Sequence, residues 1–214
     1  MRIVVTRPEG QEADLVAALA RLGHEVVHCQ LITIEPLGDE PIDVSAYDWI
    51  VLTSANGAFE LRRRLIGTIP RVAAIGAATA EAFGGADLVP AVATQEGLLA
   101  ELPRPAGRVL FAAGAGARSL LPETLAADVV TLYRTRELRP TELPVADLYV
   151  LASPSSARAL AALQTGIPVV SIGPETSAQA QQAGLEVVAE AEHHSSAGIA
   201  LAVAGLSDRA GRGS

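Results

Sequence analysis

Short polar residues follow two buried apolar runs of the chain at matching places. Ser54 and Asn56 come after the run WIVL, and Ser153 and Ser155 come after the run LYVL. Their hydroxyl and amide groups, together with the backbone N–H groups at the start of a helix, can bind carboxylate or phosphate without a positive side chain. The pattern predicts a site for an acidic ligand.

A glycine and a threonine form a second repeated pair. Gly76 and Thr79 follow the run VAAI, and Gly173 and Thr176 follow the run VVSI. Ser, Thr, Asn and Gly are also common helix N-caps, and a side-chain cap contributes about 1 kcal/mol to stability. Capping alone and ligand binding are therefore both open for each residue, although the recurrence of the same turns favours ligand binding.

These turns belong to a longer internal repeat. Residues 48–61 (DWIVLTSANGAFEL) match residues 147–160 (DLYVLASPSSARAL), and residues 72–79 (VAAIGAAT) match residues 169–176 (VVSIGPET). The repeat indicates two copies of one unit of about 100 residues, which is the size of a small domain. Taken alone, it predicts two contiguous halves.

Short β-branched runs alternate with helical stretches along both copies. Predicted strands occupy residues 2–6, 25–30, 49–53, 71–75, 87–89, 108–112, 128–133, 148–152, 169–172 and 186–189. Such alternation is typical of parallel sheets covered by helices on both faces, so the predicted fold class is α/β, doubly wound. In these sheets ligands bind beyond the carboxyl ends of the strands, where the repeated polar turns fall.

Composition limits the classes of function. The 214-residue chain has a formal net charge of −8, which argues against nucleic acid as its main partner because phosphate binding needs a basic surface. No stretch reaches the roughly 20 apolar residues of a membrane span, and no signal-peptide core follows Met1. Cys29 is the single cysteine, which excludes an internal disulfide and a cysteine-built metal site. We expect a soluble, cytoplasmic protein with no membrane partner.

Three other features are weaker candidates for chemistry. Residues 112–118 (AAGAGAR) contain Gly-x-Gly after a strand but lack the third glycine of a dinucleotide-binding turn. His193 and His194 are adjacent, and adjacent residues of a helix do not share a face, which disfavours a metal site. Tyr133 ends a predicted strand; its ring could fill space between domains, or its hydroxyl could contact a ligand. The usual motifs of nucleophilic catalysis are missing from the sequence.

At these residues the sequence resembles uroporphyrinogen-III synthase. The resemblance runs in order through nearly the whole chain and rests on short motifs: VTRP at 5–8, LTSAN at 52–56, IGAATA at 75–80, YRT at 133–135, SPS at 153–155 and IGPET at 172–176. It implies two flavodoxin-like, doubly wound parallel-sheet domains joined by a two-stranded linker. The implied first domain is discontinuous, residues 1–35 and 138–214, and the second is residues 36–137.

The resemblance also implies a lyase reaction on hydroxymethylbilane, a linear tetrapyrrole with carboxylates on every ring. The substrate, held in a cleft between the domains, is closed with loss of water, and ring D is inverted through a spiro intermediate to give uroporphyrinogen III. No metal and no organic cofactor are implied. The motifs transfer Tyr133 as the catalytic residue that assists departure of the hydroxyl as water. They transfer as substrate-binding residues Arg7, Ser54, Asn56, Gly76, Thr79, Ser153, Ser155, Gly173 and Thr176.

We further expect a monomer that receives hydroxymethylbilane from hydroxymethylbilane synthase and binds no nucleic acid. The approach to the last helix, His193-His194-Ser195, departs from the family pattern. Two alternatives stay open. One is a non-catalytic two-domain binding protein for a small anionic ligand, which would use the same turns. The other is a nucleotide-sugar transferase of two Rossmann-like halves, for which the sequence offers no evident acidic or basic catalytic residue.

Overall fold

Strands and helices alternate along most of the chain in the computed structural model, which describes the backbone of residues 1–211 and the side chains of residues 1–206. Within this range the strands are β1 (Arg2–Val5), β2 (Glu25–His28), β3 (Ile32–Pro36), β4 (Ile42–Asp43), β5 (Trp49–Leu52), β6 (Leu65–Ile66), β7 (Arg71–Ala74), β8 (Val109–Gly114), β9 (Asp128–Glu137), β10 (Leu148–Leu151), β11 (Val169–Ser171) and β12 (Val187–Glu190). The helices are α1 (Ala13–Arg21), α2 (Ala55–Arg64), α3 (Ala77–Phe83), α4 (Gln95–Glu101), α5 (Leu120–Leu125), α6 (Pro154–Ala161), α7 (Pro174–Gln182) and α8 (Ser196–Gly211). None of the helices described is long and apolar enough to cross a membrane.

The central strands are short runs of buried apolar residues. Every residue of β5 (WIVL) and of β10 (LYVL) is buried. A strand that is covered on both faces needs apolar side chains pointing in both directions, and β-branched and aromatic residues meet this need on a pleated surface. The expected α/β fold with parallel sheets is confirmed.

The first of two compact units, here called the first unit, combines Met1–Thr33 with the chain from Arg136 onward. Among the described residues its sheet has the order β12-β11-β10-β1-β2, and all neighbouring strands are parallel. Ile3 and Val5 pack with α1 and α8 on one face, and Val4 packs with α6 and α7 on the other. Helices therefore cover both faces of this sheet.

The second unit is the contiguous segment Ile34–Thr135. Its main sheet has the order β3-β9-β8-β5-β7, and β9, β8, β5 and β7 run parallel. Ile50 and Leu52 pack with α2 and α3, whereas Trp49 and Val51 pack with α4 and α5. The same alternation of side chains thus builds two cores on the two faces of this sheet as well.

The internal repeat is visible in the two strand orders. β10, β11, β1 and β2 of the first unit hold the sheet positions that β5, β7, β8 and β9 hold in the second. β12 corresponds to an isolated bridge between Ala73 and Leu88. The contiguous halves that the repeat alone predicts are wrong, because β1 pairs with β10 on one side and β2 on the other.

The chain passes from one unit to the other twice, once in β3 and once in β9. These strands are neighbours in the sheet, and two backbone hydrogen bonds of 2.8 Å join Leu37 N–H to Leu132 O and Leu138 N–H to Leu31 O. Residue numbers rise along β3 as they fall along β9. The two connecting strands are therefore antiparallel.

Candidate functional site

The carboxyl ends of β5, β7 and β8 meet at one edge of the second unit's sheet. Leu52 is in register with Ala74 and with Ala112, so these parallel strands end at similar levels. The candidate residues of the second unit belong to this edge, which we call the second rim. The second rim consists of Ser54, Asn56, Gly76, Thr79 and Tyr133.

Ser54 is the N-cap of α2 and also meets Tyr133. Its Oγ accepts a hydrogen bond of 3.0 Å from the Gly57 N–H, and the hydroxyls of Ser54 and Tyr133 lie 2.9 Å apart. The capping interpretation is therefore right for Ser54. It is incomplete, because the same hydroxyl positions the tyrosine, whose backbone lies 79 residues away in the sequence.

The ring of Tyr133 packs against two glycines, Gly114 and Gly57. A methyl group on Gly114 would come within 2.8 Å of Tyr133 Oη, and one on Gly57 would lie 3.7 Å from Cε1. The Tyr133 backbone is held as well, because its carbonyl accepts the Ala115 N–H at 2.8 Å. The Gly-x-Gly of residues 112–118 thus provides room for an aromatic ring at the end of β8.

Tyr133 is 9% exposed, and this burial sets its protonation. Loss of solvation raises the pKa of the phenol above its ordinary value, while the hydrogen bond with Ser54 lowers it to a smaller extent. The net shift is upward, so the phenol is neutral at neutral pH and keeps a proton to donate. A neutral phenol at a polar rim can act as a hydrogen-bond donor to a leaving hydroxyl.

The other residues of the second rim lie in the first turns of two helices. Gly76 is the N-cap of α3 and supplies no side-chain cap, while Thr79 is 5% exposed and donates its N–H to Gly76 O at 3.1 Å. Asn56 lies in the first turn of α2 and is half-buried. Hydroxyl, amide and backbone groups at such positions suit a carboxylate ligand.

An equivalent edge occurs in the first unit, where β1, β10 and β11 end. Val5 is in register with Val150, and Leu151 with Ser171. We call this edge the first rim. It consists of Arg7, Ser153, Ser155, Gly173 and Thr176, with Ser196 and His194 at the start of α8 beside them.

Ser153 begins α6 with a capping box. Its Oγ accepts the Ser156 N–H at 3.2 Å, and Ser156 Oγ accepts the Ser153 N–H at the same distance. Ser155 Oγ accepts a hydrogen bond from Arg158, which also pairs with Glu137 at 3.0 Å. Capping is thus an observed role of Ser153, as it is of Ser54.

Gly173 begins α7 without a side-chain cap. Its helix carries Pro174 and Glu175 in the first turn, and Thr176 is 2% exposed. The N-cap of α7 provides no side-chain hydrogen bond to the first N–H groups of the helix. The N-cap serine of α6 does provide one. Gly173 therefore leaves the first turn of α7 without the side-chain cap that Ser153 gives to α6.

Arg7 follows β1 and is tied to the start of α8. Its guanidinium donates to Ser196 Oγ at 3.0 Å and to Gln11 O at 3.2 Å. Burial lowers the pKa of Arg7 from its ordinary value, and the Asp14 carboxylate partly restores it. Arginine is nonetheless charged at neutral pH, so the first rim carries a fixed positive group.

The structure brings the candidate residues together by unit. Ser54, Asn56, Gly76, Thr79 and Tyr133 belong to one rim, and Arg7, Ser153, Ser155, Gly173 and Thr176 to the other. Sequence reasoning missed Gly114 and Ser196 as supporting residues; the signal for Gly114 was the Gly-x-Gly of residues 112–118. Among the described residues, no group of three or more His, Cys, Asp or Glu side chains could hold a metal ion.

Fold and site together define an α/β protein whose duplicated sheets carry polar rims beyond the carboxyl ends of their parallel strands. Residues 13–200 match the family model described as uroporphyrinogen-III synthase HemD. The chain belongs to this family.

Individual relatives agree with the family match. The chain is 27% identical to the uroporphyrinogen-III synthase of Synechococcus elongatus over 246 aligned residues, which cover 94% of this chain and 93% of that protein. Its fold is similar to a solved uroporphyrinogen-III synthetase from Helicobacter pylori, with a TM-score of 0.64, 18% identity, and 96% and 100% of the two chains covered. It is also similar to a mutant uroporphyrinogen III synthase from the extremely thermophilic bacterium Thermus thermophilus, with a TM-score of 0.61, 15% identity and 99% of each chain covered.

Proposed function

We propose that this chain is a uroporphyrinogen-III synthase, a cyclising lyase that converts hydroxymethylbilane to uroporphyrinogen III with loss of water and inversion of ring D. The family match over residues 13–200 supports the reaction class. The observation that carries the proposal is the neutral, buried Tyr133, whose hydroxyl meets Ser54 on the second rim.

Tyr133 assists the bond-breaking step in this proposal. The C–O bond to the substrate's terminal hydroxyl breaks as the Tyr133 hydroxyl gives its proton to the departing oxygen. The group leaves as water, and the Tyr133 phenolate regains its proton from the rearranged intermediate at the end of the reaction. Ring D then attacks the resulting cation through its substituted carbon to form the spiro intermediate, which rearranges and loses a proton. A neutral phenol can donate in this way, whereas a phenolate could not.

The remaining task is positioning. The substrate tends to ionise and cyclise by itself, so the protein mainly has to hold ring D for attack through the correct carbon. We propose that Arg7, Ser153, Ser155, Gly173 and Thr176 bind substrate carboxylates on the first rim, and that Ser54, Asn56, Gly76 and Thr79 do so on the second. Backbone N–H groups and hydroxyls bind anions without positive side chains, which is compatible with the net charge of −8.

We also propose that the two units are flavodoxin-like domains with the boundaries 1–35 and 138–214 for one and 36–137 for the other. Counted in chain order, the strands of the first unit have the order 2-1-3-4-5, which is the flavodoxin-like order. One substrate molecule would contact the rims of both domains. A cytoplasmic monomer that takes hydroxymethylbilane from its synthase completes the proposal.

The test is an isomer assay. Hydroxymethylbilane is generated freshly by its synthase, this protein is added or omitted, the products are oxidised, and the porphyrin isomers are separated by chromatography. We expect the type III isomer only when the protein is present. Type I alone from a protein shown to be folded by circular dichroism would refute the enzyme and leave a binding protein for a small anionic ligand.

A further inference from the structure

The loop before α8 is a structural copy of the loop before α4. In the second unit, Thr94 N–H donates to Val92 O at 2.7 Å. In the first unit, Ser195 N–H donates to His193 O at the same distance. Both Thr94 and Ser195 then cap the following helix through a 3.0 Å bond from a glycine N–H. Corresponding residues of the two loops can therefore be compared directly.

One position differs chemically between the two loops. Ala93 lies against Gly76, where a methyl group on the glycine would stand 3.7 Å from Ala93 Cβ. His194 holds the corresponding place against Gly173, where a methyl group would come within 2.6 Å of imidazole Cδ2. The φ of Gly173, 167°, is extended backbone that any residue adopts. The glycine therefore leaves the space that the imidazole occupies, and a side chain at 173 would require the ring to move.

His194 adds a hydrogen-bond donor to the first rim. The residue is exposed, so its ring does not belong to the core. Two residues further along the chain, Ser196 Oγ accepts a hydrogen bond of 3.0 Å from the Arg7 guanidinium. The first rim thus has two nitrogen-bearing side chains near the start of α8, the His194 imidazole and the Arg7 guanidinium. None of the residues of the second rim is basic.

We propose that His194 is a substrate-binding residue, whose imidazole N–H donates a hydrogen bond to a carboxylate of the substrate beside Gly173 on the first rim. The inference rests on the proposed function for the identity of that substrate. An imidazole has an N–H donor whether neutral or charged, and a bond to a charged acceptor is about twice as strong as one between neutral groups.

The variant His194→Ala tests this role. It recreates the alanine that the second unit already carries at this place, so the loop is expected to keep its fold. Losing a hydrogen bond to a carboxylate should raise KM about tenfold. The value of kcat should change less than about twofold, because the bond is made equally in the ground and transition states.

His193→Ala is the matched control. His193 is the exposed neighbour of His194, and its role in the loop is carried by its backbone carbonyl. Its KM should equal that of the unchanged protein. Equal KM values for His194→Ala and the unchanged protein, equal increases in both variants, or a loss of kcat alone in His194→Ala would each overturn the proposal.

A binding measurement separates this inference from the proposed function. Uroporphyrin III, the stable oxidised form of the product, serves as a probe that needs no turnover, and its Kd is measured by fluorescence. We expect the Kd to rise about tenfold in His194→Ala and to be unchanged in His193→Ala. This result without any type III product would support His194 and refute the synthase activity. Type III product with no effect of His194→Ala on Kd or KM would support the synthase activity and refute the role of His194. An unchanged protein that binds neither uroporphyrin III nor hydroxymethylbilane would overturn both proposals.

Discussion

Tyr133 combines a buried ring with a hydroxyl that meets Ser54. The ring is seated against Gly114 and Gly57, and the hydroxyl lies 2.9 Å from Ser54 Oγ. Burial alone would make the phenol a poor acid, while its bond to Ser54 keeps the hydroxyl directed to the second rim. In the proposed reaction this side chain would supply the donor, and the other rim residues would bind the substrate.

We expect Tyr133→Phe to lower kcat more than Thr79→Ala does. General acid assistance typically contributes a hundredfold or more, but a substrate that ionises unaided needs less, so the loss for Tyr133→Phe should be roughly tenfold to a hundredfold. Thr79→Ala should cost only a few fold, because it removes one of several binding groups. Steady-state kinetics with the isomer assay measures both.

Both variants must first be shown to unfold at nearly the same urea concentration as the unchanged protein. Complete and equal loss of activity in the two folded variants would contradict a mechanism based mainly on positioning. A Tyr133→Phe variant as active as the unchanged protein would exclude the tyrosine from bond breaking.

The raised pKa of Tyr133 also predicts an alkaline change in stability. The pKa of Tyr133 in the folded protein lies above the value of about 10 in the unfolded chain. Its contribution to the free energy of unfolding is therefore fully present below about pH 10. It is lost as pH rises through the folded pKa, since the unfolded chain releases its proton first. Urea unfolding of the unchanged protein and of Tyr133→Phe should show the wild-type free energy falling more steeply above about pH 10. Parallel curves would show that the phenol is not buried in solution.

At the scale of secondary structure, neighbouring helices of each unit start differently. α2 and α6 begin with serines whose side chains bond the first turn, and α3 and α7 begin with glycines that provide no side-chain bond. The serine-capped starts are satisfied within the protein. The glycine-capped start of α7 leaves N–H groups and space for other groups, including the His194 ring.

The end of β8 offers a test of how an element positions a side chain. Gly114→Ala places a methyl group within 2.8 Å of Tyr133 Oη, so the ring or the strand must shift. We expect a loss of about 1–3 kcal/mol in the free energy of unfolding from overpacking, with kcat falling about as much as in Tyr133→Phe. Thermal unfolding and kinetics measure the two effects.

Gly205→Ala is the control for that substitution, because a methyl group there would meet no neighbouring atom within 4 Å. It should leave activity unchanged and stabilise α8 slightly, since alanine is the better helix former. If Gly114→Ala left stability and activity as Gly205→Ala does, the close packing of the Tyr133 ring against Gly114 would be disproved.

At the scale of the whole molecule, each unit has cores on both faces of its own sheet. The second unit is contiguous, and the two segments of the first unit come together where Leu138 N–H bonds Leu31 O. A segment of about 100 residues with its own core is large enough to fold alone. The fold therefore consists of two copies of one architecture, with one copy inserted into the other.

We expect residues 34–135, expressed alone, to fold. The first unit should also fold when Thr33 is joined to Arg136 by a two-residue Asn-Gly turn, because antiparallel strands accept such turns. Circular dichroism, dispersed amide spectra and a cooperative thermal transition would confirm each fragment. A 34–135 fragment that binds a hydrophobic dye and melts without cooperativity would show that the units are not independent domains.

Local pattern was enough to predict the α/β class and most strands of the two sheets. Short apolar runs such as WIVL and LYVL favour strands buried on both faces, and in the structure they are the fully buried strands β5 and β10. The repeat of polar turns after these runs also indicated which edge of each sheet would be polar. These features depend on neighbouring residues, so the sequence by itself determined them.

Features that depend on distant residues were decided only by the tertiary structure. The pairing of β1 with β10, the contact of Tyr133 with Ser54 and Gly114, and the place of His194 against Gly173 each join separate parts of the chain. Glycine and histidine have several local interpretations, and the choice among them requires knowing what occupies the adjacent space. The physical reason is that periodicity and capping act over one or two turns, whereas packing brings together atoms whose separation in sequence has no fixed limit.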